Sequence, residues 1–158
     1  MKVVANTTPI ISLAAIGRLD ILEKLFGQII IAEAVYQEIK AKKNHAYQEI
    51  DSHFILVQTI QGHLYKDLLL SQLDLGEAET IILAKEINAD FVIIDENLGY
   101  QFANSVGLTT IRTLSILLKA KEQGEIVAIK PLLDDMIAKG RWYSTSVYRA
   151  FLTRIGEL

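Results

Sequence analysis

Apolar residues fall along the chain in two alternating rhythms. Short unbroken runs, Lys2-Val3-Val4-Ala5, Gln28 to Ile31 and Phe91-Val92-Ile93-Ile94, have the length and β-branched content of strands. The last of these is uninterrupted before Asp95, as in a central parallel strand buried on both faces. Between the runs, apolar positions recur at helical spacing. In the segment from Ala32 to about Lys43, Ala32, Val35, Tyr36 and Ile39 share one face, with Glu33, Gln37 and Lys40 on the other. Helices are likewise predicted over Ile10 to Ile16, Ile21 to Phe26, Leu64 to Leu70, Asp74 to about Asn88, Asn97 to Val106 and Thr113 to about Gln123, with two more near the C-terminus. Thr8 is placed to cap the first of them, Pro9 suits its first position, and Gly27, Gly107 and Gly124 supply stops. Phe54 to Gln58 reads as an edge strand and Leu108 to Ile111 as a short one.

Strands alternating with helices predict an α/β fold, a central and mainly parallel sheet with helices on both faces, joined by right-handed crossovers. The 158 residues suit one domain spanning 1–158, and no internal repeat or Pro/Gly-rich linker suggests a boundary. A hydrophobic content of 51% against 22% charged residues is that of a folded globular chain. The absence of cysteine removes disulfides, thiolate metal sites and a cysteine nucleophile. With no signal-like opening and no apolar run near the ~20 residues that span a bilayer, a cytoplasmic location is expected. A net charge of -3 argues against a protein that coats nucleic acid by bulk electrostatics, but not against a transient nucleic-acid substrate. Gly-rich phosphate loops and Gly-flanked serines of the hydrolase type are both missing, which removes nucleotide-cofactor and serine-hydrolase readings.

Open parallel sheets bind ligands beyond the carboxyl ends of their strands, and this chain puts polar residues there. Asn6 follows the first strand, Asp95 the most hydrophobic one, and Glu77 begins the helix that leads into it. Glu77 shares a helical face with Ile81 and Ala84 and is expected to point inward, whereas Glu79 shares one with Glu86 and is expected to point out. Glu38 sits beside Val35 and Ile39 at the border of a buried face. Several carboxylates in one place repel one another unless a cation neutralises them, and Mg²⁺ or Mn²⁺ prefers such oxygen ligands.

Each residue also has a plainer reading. Asn6 and Asp95 suit turns and caps, Glu77 suits the positive end of a helix, and Glu38 can pair with Lys42 one turn on. Lys40, Lys42 and Lys43 read as a solvated helix end, and His45, His53 and His63 lack metal-ligand spacing. Trp142 and Tyr143, beside Arg141, read as packing for a terminal helix in preference to base stacking. By fold analogy alone, a small-molecule binding domain is the nearest other doubly wound reading.

The ordered set Val3-Val4-Ala5-Asn6-Thr7-Thr8-Pro9, Ala34-Val35-Tyr36-Gln37-Glu38, Leu75-Gly76-Glu77-Ala78-Glu79 and Phe91-Val92-Ile93-Ile94-Asp95-Glu96 resembles the PIN-domain family, which includes the VapC toxin ribonucleases. The resemblance implies a three-layer α/β fold and a Mg²⁺- or Mn²⁺-dependent endoribonuclease. It implies catalytic roles for Glu38, Glu77 and Asp95 and metal ligation by these three with Asn6 and Glu96. Thr8 and Arg112 are the corresponding candidates for substrate contact. It further implies a homodimer, an RNA substrate and a small antitoxin partner. Active members usually carry Asp at the first position; Asn6 departs from that and resembles a PIN-like subgroup opening Asn-Thr-Thr-Pro. The lost charge leaves a second reading, a catalytically weakened module that binds RNA or a protein partner without cleavage.

Overall fold

The computed structural model describes all residues, 1–158. Five strands, β1 (Val3–Ala5), β2 (Ile29–Ala32), β3 (Ile55–Gln58), β4 (Phe91–Ile93) and β5 (Thr110–Ile111), form one sheet in the order β3-β2-β1-β4-β5. Every pairing is parallel, with Val4 opposite Ile30 on one side and Val92 on the other. Nine helices connect the strands and complete the chain: α1 (Thr7–Ala15), α2 (Asp20–Phe26), α3 (Glu33–Lys40), α4 (His63–Leu69), α5 (Leu75–Glu86), α6 (Asn97–Ser105), α7 (Thr113–Glu122), α8 (Lys130–Ala138) and α9 (Thr145–Arg154). The predicted α/β class and the edge position of the third strand are both present. No helix is long and apolar enough to cross a membrane.

Strand burial follows the predicted pattern. All of β1 and β2 and the residues Val92 to Ile94 are buried, whereas Leu56 and Val57 on the edge strand are exposed. The chain lays β1, β2 and β3 outward in one direction and then returns to lay β4 and β5 on the other side of β1. The sheet therefore reverses its order between β1 and β4, and the connections leaving these strands diverge. A crevice opens beyond their carboxyl ends, the place where open α/β sheets bind ligands.

Helix α5 crosses the middle of the molecule and contacts α3, α4, α6, β1, β2 and β4. Residues Gly76 to Ala84 are all buried, so this stretch of the helix has no solvent face, and only Leu75, Lys85 and Glu86 at its ends are exposed. That overturns the outward placement of Glu79: helical spacing separates two faces, but here both faces are covered. Glu79 is anchored instead, accepting a hydrogen bond from the backbone N–H of Ala34 at 3.1 Å with Lys66 3.6 Å away. A carboxylate at the N-terminus of α3 also supplies an acceptor to a free helix-end N–H.

Helix α3 stops at Lys40, so Lys42 and Lys43 lie in the turns that follow. Lys40 does not stand free in solvent; it pairs with Asp51 at 2.6 Å. Helix α1 begins one residue before the expected cap. Asn6 takes the cap position without using its side chain for it, because the amide is committed elsewhere.

Candidate active site

The crevice between β1 and β4 is built by three chain segments. Asn6 leaves β1 with its backbone N–H donated to the carbonyl of Ile93, which fixes it beside the end of β4. Its side-chain Nδ2 donates to Glu96 Oε2 at 3.3 Å, and its Oδ1 accepts from Thr80 Oγ1 of α5 at 3.4 Å. Thr8 Oγ1 donates to the other Glu96 oxygen at 2.5 Å. Glu96 is thus oriented by two residues of the β1–α1 turn.

Glu77 comes from the start of α5, where a capping box holds it. Its backbone N–H donates to Asp74 Oδ1 at 2.8 Å, and its Oε1 accepts from the Asp74 backbone N–H at 3.1 Å. Both the plain helix-end reading and the inward direction of Glu77 are therefore realised in the same side chain. Its other oxygen, Oε2, faces α6 at Gly99. A Cβ on Gly99 would stand 2.7 Å from Glu77 Oε2 and 2.7 Å from Ile94 Cδ1, so a larger residue here would have to displace the ends of both side chains.

The electrostatics are one-sided. No Lys, Arg or His pairs with Glu77 or Glu96. Burial chiefly, with the neighbouring Asp74 and Glu96 carboxylates adding repulsion, pushes the Glu77 carboxyl up to about 7. Thr7 Oγ1 is buried nearby without a hydrogen-bond partner, 3.6 Å from where a Cβ on Gly76 would lie. An amide oxygen, carboxylates and threonine hydroxyls form a hard-oxygen set deficient in positive charge, which fits a cation of the Mg²⁺ type. These side chains do not form a ready-made cage of three or more acidic or imidazole ligands.

Asp95 neighbours Glu96 but turns the other way, as successive residues of an extended chain do. Its Oδ1 accepts from the Thr113 backbone N–H at 2.8 Å, and its Oδ2 from Thr113 Oγ1 at 2.6 Å and Arg141 Nη2 at 3.1 Å. It caps α7 from another element while pairing with an arginine. Glu38 is exposed on α3 and makes no pair with Lys42; with Gly76 and Glu79 it lines a pocket of about 410 Å³ bordering the Asn6 side of the crevice. Arg112 donates to Asn97 Oδ1 at 2.9 Å and lies over the Tyr100 ring at 4.0 Å. The structure thus gathers Asn6, Thr8, Glu77 and Glu96, sets Asp95 and Arg112 beside them in a pocket of about 430 Å³ that Glu96 also lines, and leaves Glu38 at the rim.

Asp74, Thr80, Thr113 and Arg141 complete the surroundings without having been singled out as site residues. Asp74 was legible, since Asp74-Leu75-Gly76-Glu77 spells a capping box. Arg141 was not, because 46 residues separate it from Asp95.

Fold and site together define a parallel α/β domain with an acidic crevice at its sheet switch point. The model of a PIN-domain family matches residues 2–157, and the chain belongs to that family. A search of curated proteins finds no match. Membership carries a nuclease-type fold, an association with nucleic acid and a general dependence on divalent metal.

A folded-state Glu77 value near 7 lies above the 4.5 of the free side chain, so the native protein binds more protons than the unfolded chain between these limits. Stability is then greatest below about pH 4.5 as far as this group is concerned and falls as pH rises through about 7. Thermal melts from pH 5 to pH 8 should show that decline, and Glu77→Gln, which keeps the acceptor for Asp74, should flatten it. A variant with the wild-type slope would mean that another group carries the dependence.

Proposed function

We propose that this protein is a divalent-metal-dependent endoribonuclease whose cation sits among Asn6, Glu77 and Glu96. The observation that carries this reading is the unneutralised pair of a buried Glu77 and a half-buried Glu96 at the sheet switch point, with the Glu77 carboxyl raised to about 7. Mg²⁺ or Mn²⁺, when bound, supplies activation of a water for in-line attack on a phosphodiester and stabilisation of the departing oxygen. The chain's own residues do the rest. Thr8 and Asn6 orient Glu96, the Asp74 capping box fixes Glu77, and Gly99 keeps α6 close enough to exclude bulk water from the Oε2 side. Glu38 adds negative charge at the rim. Asp95, the remaining candidate ligand, would stand next to this set, and its bonds to Thr113 and Arg141 hold α7 and the α8–α9 segment in place.

Asn6 supports this account in a way that aspartate would not. Its Nδ2–H satisfies Glu96, where a carboxylate 3.3 Å away would repel it. Two unit charges at 4 Å interact with ~4 kcal/mol at an effective dielectric of 20, much of it offset by solvation. Asn6→Asp should therefore lower the melting temperature in EDTA by several degrees while enlarging the rise produced by Mn²⁺. Wild-type protein should cut single-stranded RNA in Mn²⁺, and Glu77→Gln should reduce the rate at least a hundredfold. Wild-type protein that binds RNA but never cuts it would favour the weakened binding module.

A toxin role would add a small antitoxin and a cytoplasmic setting, and a homodimer is the expected assembly. Helix α4 supports the last point: it has no buried residue, and Leu64, Tyr65 and Leu68 stand exposed on it. Beside it, Leu69, Ile81, Ile82, Phe102 and Val106 line a groove of about 500 Å³ at the end of α5 remote from Glu77. Exposed apolar patches of this kind mark protein contacts. Sedimentation equilibrium should return twice the 17.7 kDa chain mass, and Leu68→Lys should shift the protein toward monomer. A wild-type mass fixed at 17.7 kDa across micromolar concentrations would remove the dimer.

A further inference from the structure

Between α8 and α9 the segment Gly140 to Ser144 folds back over the carboxyl ends of β4 and β5. Arg141 binds Asp95 there and stacks at 4.4 Å on Tyr143, whose ring packs against the core. Tyr143, not Trp142, therefore does the packing expected of this segment. Trp142 is 75% exposed, the chain's one tryptophan and its most exposed aromatic side chain. Leaving so much apolar ring in water is unfavourable by roughly 25 cal/mol for each Å² left uncovered.

The surroundings of the indole are those of a ligand site. On one side a pocket of about 430 Å³ is lined by Glu96, Arg112, Arg141, Tyr143 and Ser144. On the other a pocket of about 440 Å³ runs past Thr8, Asn44, His45 and Lys139. Arg141 and Trp142 line both, so they form a ridge between two grooves, each reaching a residue of the acidic cluster. Beneath the ridge, Arg141 Nε and the Tyr143 hydroxyl are buried without hydrogen-bond partners.

We propose that the α8–α9 loop is a nucleotide subsite, in which Trp142 stacks an unpaired base and Arg141 and Arg112 receive the flanking phosphates of a single RNA strand crossing the acidic crevice. An aromatic face beside guanidinium groups is the combination that holds single strands, because every base has a π-face and arginine matches phosphate geometry. The Asp95 carboxylate does not oppose the phosphate, since Arg141 and Thr113 already bind it. Glu96 repels phosphate at the crevice end of the pocket, which places the anion toward Arg112 and Ser144. A base inside a duplex cannot reach the indole, so the subsite selects unpaired RNA. The inference rests on the nuclease reading for its substrate and on the loop geometry for its residues.

The single tryptophan makes the test direct. Hexauridylate titrated into the full chain in EDTA at low salt, where no metal-dependent cutting occurs, should quench Trp142 fluorescence in a saturable way. A duplex of the same length should leave it unchanged. By anisotropy of a labelled hexamer, Trp142→Leu and Arg112→Ala should each weaken binding about tenfold, as expected for one stacked base or one phosphate contact. Binding of the hexamer without quenching, equal quenching by the duplex, or no binding at all would each overturn the subsite. Cleavage in Mn²⁺ without quenching would refute the subsite alone, whereas quenching without cleavage would refute the nuclease reading and leave the subsite standing.

Discussion

The structure turns on two neighbouring carboxylates, Glu77 and Glu96, to which no cationic side chain is paired. Glu77 and Glu96 approach each other because β1 and β4 are neighbours at the point where the sheet reverses order, and because α5 must pass through the middle of the fold. Each carboxylate has hydrogen-bond donors, from the Asp74 backbone for Glu77 and from Asn6 and Thr8 for Glu96. Donors lessen the cost of burial without cancelling it, and burial chiefly, with the like charge of Asp74 and Glu96 adding to it, raises the Glu77 value. A carboxyl held this far from its ordinary acidity beyond the carboxyl ends of a parallel sheet is a functional-site candidate.

Asp95 and Glu96 line one pocket but meet different partners. Consecutive residues of an extended chain point in opposite directions, so one carboxylate enters the crevice and the other meets α7 and the α8–α9 loop. Arg141 neutralises the second and leaves the first bare. Uncompensated carboxylates at the switch point thus lie beside the guanidinium groups of Arg112 and Arg141, an arrangement that suits a cation and a phosphate next to one another.

Most of the fold was legible because its signals are local. The unbroken run Phe91 to Ile94 marked a buried strand, and Thr7-Thr8-Pro9 and Phe26-Gly27 marked helix ends within a residue or two. The inward direction of Glu77 was legible for the same reason, being tied to a helix start, whereas at the strand end the residue singled out was Asp95, and Glu96 entered only beside it through the family resemblance. Glu79 was misjudged because periodicity assumes that a helix keeps a wet face, and α5 has none from Gly76 to Ala84. The exposure of Glu38 depends on how far α5 covers α3, which no pattern within α3 reveals. Trp142 was weighed as packing because an aromatic residue near a terminal helix usually packs; its neighbour Tyr143 filled that place instead.

The central claim is that the switch-point crevice takes a divalent cation between Glu77 and Glu96. Crystals soaked in Mn²⁺ above pH 7, where Glu77 is ionised, would locate the ion by its anomalous scattering. A peak within about 2.5 Å of oxygens from both Glu77 and Glu96 is the predicted result, using the ordinary range of hard-cation to oxygen distances. An anomalous map with no peak in the crevice, or with the ion held elsewhere on the surface, would contradict it.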